Sequence, residues 1–316
     1  MLKKWFKFEI VVVAAALIFT LFESCKEKKE GPSKELALND EATVTTPKKA
    51  LSQEFKDYWY AGEAEITSYE LEQARYGEMR EGKAVLVYVT EPFLAEKQVK
   101  ADESSPDNIP VLKLNSTKNY LTGIYPYSIM TSSFYPVNDN QHAVKVTFSA
   151  QEWCGQVYAQ LNNREKFEVM SHSYFESEAD QNQKFEKTIL ENELWNMIRI
   201  NPTDLPVGDL KIIPSFEYIR LSHRELKAYD ATLTLSSSDG LSSYEIVYPE
   251  LDRALKINFN PSFPYTIESW TDTFASGFGS NKKQMTSKAI KIKSIKSPYW
   301  QKNSNAYLPL RDSLGL

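Results

Sequence analysis

Apolar residues recur at every second position through long stretches of this chain, and a period of two marks a pleated strand with one face buried. "AVKVTFSA" sets Val144, Val146, Phe148 and Ala150 on one face and Lys145, Thr147 and Ser149 on the other. "RALKINFN" does the same with Leu255, Ile257 and Phe259. Runs over residues 63–72 and 82–93, then "VLKLN", "GIYPYSIMTSSFYPV" and "KFEVMSHSYF", extend the pattern. The 18 Tyr and 16 Phe suit half-buried strands better than helices. The expected fold is mainly β: a large twisted antiparallel sheet or half-barrel with one covering α-helix.

The breaks between runs place the turns. "YGEMREG" separates the first two, and a polar stretch over residues 102–110 separates the next. Pro126 and Pro136 belong at strand edges or ends, because proline donates nothing to a ladder. The apolar set moves from even positions to odd ones at Trp153, Val157, Ala159 and Leu161, so a bulge or turn is expected near Gln151 and Glu152. "NNRE", Asp239 with Gly240, and "NPSFP" read as hairpin turns. One helix is predicted over residues 180–199, where Phe185, Ile189, Leu190, Leu194, Met197 and Ile198 recur at helical spacing. Asn201 and Pro202 end it, and its stripe should cover one face of the sheet. "SKAIKIKSIK" alternates Ile with Lys and reads as an edge strand protected by charge.

The N-terminus is of another kind. Lys3, Lys4 and Lys7 precede an apolar run from Ile10 to Phe22, the length of a secretory h-region and short of the roughly 20 residues that span a bilayer. Ser24 and Cys25 then resemble a bacterial lipobox, although Glu23 is an unusual charge so close to the cut. The alternative is an uncleaved signal anchor. The lipobox reading divides the chain into a signal peptide (1–24), a lipidated flexible stalk (25–54) and a β-rich domain (55–316), with room for two subdomains meeting near the helix. It implies a membrane partner through Cys25 and an outer-membrane, lipid-anchored location, periplasmic or surface-exposed. Lys26 and Glu27 resemble a surface-export signal of Bacteroidota lipoproteins, which Lys28 interrupts.

No catalytic constellation emerges. A net charge of -5, with no basic stripe carrying stacking aromatics, excludes nucleic acid as the expected partner. With Cys25 acylated, Cys154 is the remaining thiol; it is either a nucleophile served by His142 or His172, or a packing residue beside Trp153. His142, His172 and His223 are scattered without metal-ligand spacing, so no metal or other cofactor is expected. "SGFGSNKK" at residues 276–283 fails the phosphate-loop pattern and reads as a loop. The preferred reading is a non-enzymatic binding protein for an apolar ligand or an envelope protein partner. Val144, Val146, Phe148, Leu255, Ile257 and Phe259 would line a concave apolar site or fill an ordinary core. An envelope hydrolase built around Cys154 or a histidine is the alternative.

Three segments, "YWYAGEAEITSYELEQARYGEMREGKAVLVYVTEPF", "NIPVLKLNSTKNYLTGIYPYSIMTS" and "EWCGQVYAQLNNREKFEV", resemble a family of predicted Bacteroidota lipoproteins often labelled septum formation inhibitor Maf. Maf proteins proper are nucleotide pyrophosphatases with a Ser-x-Ser-Pro-Arg-Arg motif. "ESSPDN" at residues 103–108 lacks both arginines, and without cations to neutralise a triphosphate that activity is not expected. The hairpins with one helix also look, at the level of fold, like the half-barrels of the lipoprotein carriers LolA and LolB.

Overall fold

Each alternating run becomes a strand in the computed structural model, which describes residues 49–139 and 141–316, all within the compact unit Thr46–Leu316. The signal peptide, Cys25 and the stalk as far as residue 48 lie outside the described residues. The chain enters through a short helix, α1 (Gln53–Trp59), capped by the Ser52 side chain and anchored by the buried Phe55 and Trp59. There follow β1 (Ala64–Arg75), β2 (Glu78–Leu94), β3 (Val99–Lys100), β4 (Ile109–Thr122), β5 (Tyr125–Pro136), β6 (Lys145–Glu152), β7 (Gly155–Asn163), β8 (Phe167–Ser173) and β9 (Gln181–Phe185). After β10 (Ile189–Leu190) comes the longest helix, α2 (Glu191–Ile200), then β11 (Gly208–Ile213), α3 (Phe216–Leu221), β12 (Tyr229–Ser238), β13 (Leu241–Tyr248), β14 (Arg253–Phe259), β15 (Ile267–Ser276), β16 (Lys283–Ser297) and the short α4 (Pro309–Ser313).

All sixteen strands form one sheet, in the order β10-β11-β12-β13-β14-β15-β16-β1-β2-β4-β5-β6-β7-β8-β9, with β3 paired beside β2. Its two ends, β9 and β10, are consecutive in sequence and joined by residues 186–188 alone. Four residue steps span at most about 14 Å, so the sheet must curl until its edges nearly meet. It is thus mainly β, as expected, and rolled beyond a shallow half-barrel.

Most hairpins fall where the turn chemistry puts them. Asp239 and Gly240 both have positive φ between β12 and β13, as a two-residue hairpin turn requires. Pro126 and Pro136 occupy the ends of β5, and Trp153 with Cys154 makes the turn that the phase change implies. Three expectations need correction. Of "YGEMREG", only Tyr76 and Gly77 turn, and Glu78 already belongs to β2. The helix begins at Glu191, not near residue 180: Gln181 to Phe185 pair with β8, and Ile189 and Leu190 pair with β11. Phe185, Ile189 and Leu190 mimic a helical stripe, yet the ladders at the two sheet ends claim them. β16 is not an edge strand either, since it joins β15 to β1 and closes the sheet between its C-terminal and N-terminal halves.

The helix also does more than cover one face. Nearly enclosed by the rolled sheet, α2 buries Leu194 and Ile198 together with Glu191, Glu193, Asn196 and Arg199. It touches β2 through Tyr88, whose hydroxyl donates to the Trp195 carbonyl at 3.1 Å, and β15 through the edge-to-face pair Trp195 and Trp270, 5.3 Å apart. Val146, Phe148, Leu255, Ile257 and Phe259 are buried in the main apolar cluster, and Val144 in a smaller one with Phe93 and Val111. They are core.

Candidate functional site

Three regions compete: the interior around α2, the hairpin ends of the barrel, and a cleft beside β8 and β9. Ion pairs fill the interior. Arg199 donates from Nη1 and Nη2 to the two oxygens of Glu65 at 2.6 and 2.7 Å, and from Nε to the Pro264 carbonyl at 2.8 Å. Burial opposes the charge on Glu65, but Arg199, together with hydrogen bonds from Tyr58 and Thr67, outweighs it and holds the carboxyl below its ordinary range. Arg253 pairs with both Glu191, at 2.6 and 2.8 Å, and Asp272, at 2.8 and 2.9 Å. The two acids diverge. Glu191 is lowered because Arg253 and Tyr248 overcome its burial, whereas burial and the Glu191 charge raise Asp272 despite Arg253. Asn196 bonds Ser133 and the Leu112 carbonyl, and Glu193 takes the Ala143 N–H at 2.7 Å. About 70 Å³ of free space remains here, room for a few waters, and the charged groups are paired with one another, while Gln73 Oε1 on the lining has no partner.

At the hairpin ends the side chains point outward. The turns at Tyr76 and Gly77, Gly123 and Ile124, Trp153 and Cys154, and residues 277–282 lie at the same end, because antiparallel neighbours reverse together. Gly77 has φ +78°, and a Cβ there would come within 2.8 Å of the Asn281 carbonyl, so the two loops touch. This rim exposes Ile124 by 83%, Trp153 by 70%, Tyr174 by 69%, Phe278 by 63% and Leu121 by 60%.

Ring contacts link the rim. Trp153 meets Tyr125 at 6.3 Å, Tyr125 meets Tyr127 at 6.0 Å, Tyr127 meets Tyr76 at 6.4 Å and Tyr76 meets Phe278 at 5.9 Å. Phe278 continues to His223 at 6.4 Å, His223 to Phe175 at 6.2 Å and Phe175 to Tyr174 at 5.5 Å. Tyr174 packs on Gly155, two residues from Trp153, which brings the two ends of this run of rings near each other; a Cβ on Gly155 would sit 2.8 Å from the Tyr174 ring. Along the run, Arg75 lies 4.2 Å over Tyr76 and Arg220 lies 4.3 Å over Phe175. The chain enters at the opposite end. The Lys49 N–H donates to the Asn138 carbonyl in the loop between β5 and β6, and Phe55 and Tyr58 pack on Phe263 between β14 and β15.

The cleft lies between α3 and the inner faces of β6 to β9 and holds about 570 Å³, within the range of small-molecule sites. His223 belongs to both the rim and this cleft, at a φ of +50°, and its Nδ1 is 2.8 Å from Glu178. Glu178 also binds Arg220 Nη1 at 3.1 Å and Ser173 at 2.7 Å. These partners overcome burial and lower its carboxyl, while burial lowers Arg220 against the pull of Glu178.

The residues singled out by sequence do not converge. Cys154 is exposed at a turn, its N–H donates to Glu152 at 2.7 Å, and the same carboxylate raises the thiol, the reverse of what a nucleophile needs. His142 instead meets Glu193 at 2.9 Å, and His172 faces Asp180 at 3.2 Å. Among the described residues no group of three or more His, Cys, Asp or Glu stands ready for a metal. Residues 103–108 lie between strands, as expected, and so do residues 277–282, whereas Ser276 and Lys283 pair with each other at the ends of β15 and β16. The run of rim rings and the cleft were missed. Ring contacts leave no spacing in sequence, but Phe167, Val169, Ser171 and Ser173 share a strand face, and the change from apolar to serine along it marks the cleft.

No protein-family model matches the chain, and no curated protein matches it. Among solved structures, a porin-like protein from Bacteroides uniformis ATCC 8492 aligns over 73% of this chain and 96% of that one, at 10% identity and a TM-score of 0.20. At that score the likeness carries no weight for fold or function.

Proposed function

We propose that this chain is a cell-envelope lipoprotein, anchored to the outer membrane through Cys25, that works as a non-enzymatic binding protein and engages a protein partner with its aromatic rim. The observation that carries the reading is the run of ring contacts from Trp153 to Tyr174, with five large apolar side chains exposed at the same end. Exposed apolar patches bordered by polar groups mark interaction sites, and Trp and Tyr supply contact area at small entropic cost. Side chains occupy the interior around α2, and the cleft left on the inner faces of β6 to β9 has a wall of Ser171, Ser173, Gln181 and Gln183 that suits an acyl chain poorly, which favours this over an apolar carrier. His142 and His172 engage Glu193 and Asp180 rather than Cys154, which favours it over a hydrolase. Lys49, the first described residue, lies at the end opposite the rim, so a stalk leading to it from Cys25 would leave the rim free for a partner.

A photo-crosslinking residue placed at Trp153 or Phe278 in living cells tests it, with the exposed Val207 as control. Discrete protein adducts are expected from the rim positions and none from Val207; equal labelling, or none at the rim, refutes the partner surface. Fatty-acid labelling should be lost in Cys25→Ala, and its persistence would refute the anchor.

A further inference from the structure

A second space opens at the rim, and its charges do not balance. It holds about 330 Å³ and is bordered by Arg75 and Tyr76 at the end of β1, by Leu221 to Arg224 where α3 ends, by Leu251, and by Phe274 to Gly279 with Lys282 in the hairpin of β15 and β16. Three permanent cations, Arg75, Arg224 and Lys282, line it together with His223, and among the described residues no carboxylate does. Arg75 makes this imbalance unusual. Of the three buried arginines, Arg199 has Glu65, and Arg253 has Glu191 and Asp272. Arg75, 8% exposed, has neutral acceptors alone: Nη1 donates to the Leu221 carbonyl at 2.7 Å, and Nη2 to the hydroxyls of Tyr127 at 3.1 Å and Tyr76 at 3.2 Å. Buried charges are ordinarily paired. The acids of the neighbouring turns are committed elsewhere, Glu178 to Arg220 and His223, Glu225 and Glu250 to Lys227. Neither they nor the exposed Asp252 form an ion pair with Arg75, Arg224 or Lys282.

We infer that this pocket receives a carboxylate from the protein partner of the rim, the side chain of an Asp or Glu flanked by apolar residues. The inference rests on the rim reading, since Tyr76 and Phe278 belong both to the run of rings and to the pocket wall. Cations without an internal counter-charge raise the local concentration of anions. Arg224 and Lys282, both exposed, are placed to touch the carboxylate. Arg75, its Nη donors already engaged, adds attraction at a distance. The rest of the wall decides the class of anion. Tyr76, Leu221, Leu251, Phe274 and Phe278 offer apolar contact that an acidic peptide segment uses and an inorganic anion does not.

The test is an array of end-capped hexapeptides that carry Asp or Glu among Leu, Phe and Tyr, each beside its Asn or Gln twin, probed with the full chain in mild detergent. Acidic members should bind, and their amide twins about tenfold more weakly, the worth of a charge-assisted hydrogen bond. High salt should narrow that difference. Arg224→Glu combined with Lys282→Glu should abolish binding, and Arg75→Gln should weaken it about threefold, as a charge acting from a distance would. Melting curves on these variants separate lost binding from lost fold. Equal binding of acid and amide twins, no binding at all, or indifference to the variants overturns the inference, as does inorganic phosphate binding more tightly than every peptide. Crosslinks at Phe278 that survive the charge reversal would overturn it and leave the rim reading intact. Acidic peptides bound by a chain whose rim gives no crosslinks would refute the rim partner instead.

Discussion

Removing Arg199 should unfold this protein far more readily than its place on a ten-residue helix suggests. Arg199 and Glu65 are each 1% exposed and share two short charge-assisted hydrogen bonds, so Arg199→Met leaves a carboxylate in the core with only Tyr58 and Thr67 to bind it. Losing one partner of a buried pair costs about 3–5 kcal/mol. The guanidinium also stacks 5.0 Å from Trp59 and 4.7 Å from Tyr88, and those contacts go with it. Glu65→Leu should cost a similar amount, by stranding the cation. The double variant is the informative one: with neither charge to desolvate, it should come back to within about 2 kcal/mol of the parent. Urea unfolding of the chain freed of residues 1–25 measures all four corners of the cycle. In melting temperature each single change should appear as a fall of roughly 6–20 °C. Additive losses in the double variant, or single losses under about 1 kcal/mol, would show that α2 is held by apolar packing alone.

Other consequences follow from the same contacts. Glu65 and Glu191 have folded pKa values below the ordinary 4.5, so the native state binds their protons less readily than the unfolded chain. Their stabilisation is therefore complete above about pH 4.5 and lost as pH falls through the lowered values. Asp272, held above 3.8, acts in the opposite sense, its contribution being present at low pH and lost as pH rises through its folded value. The two glutamates predominate in this prediction, and thermal melts from pH 6 to 3 should show a shallower acid limb in the Glu65 and Arg199 double variant; an unchanged limb would refute the assignment. Gly82→Ala should cost about 1–3 kcal/mol, because the new Cβ would lie 2.3 Å from the Asn119 carbonyl and 2.7 Å from Tyr120 Cβ; a loss below about 0.5 kcal/mol in urea would count against the packing. Iodoacetamide should alkylate Cys154 slowly for so exposed a thiol, and Glu152→Gln should speed it; equal rates would remove Glu152 as the cause.

Local pattern made the class of fold legible, because alternation and turn chemistry are written within a few residues of one another. Val144 to Ala150, Leu255 to Phe259 and the Asp239 and Gly240 turn all read correctly for that reason. The start of α2 did not, since Phe185, Ile189 and Leu190 satisfy a helical spacing while lying on two sheet ends. "SKAIKIKSIK" misled in the same way: a strand's neighbours are chosen by other strands, and β1 lies more than 200 residues away from β16 in sequence.

The sequence by itself determined a mainly β protein with one principal helix and marked Cys25 as the candidate anchor, because period, propensity and a lipobox-like run are local properties. Tertiary structure alone decided that the sheet rolls until β9 and β10 approach, that α2 lies within it on buried ion pairs, and that eight rings from distant turns meet at one rim. Those features depend on which residues the curvature of the sheet brings together, and curvature is a sum of small twists over sixteen strands that no short stretch of sequence encodes.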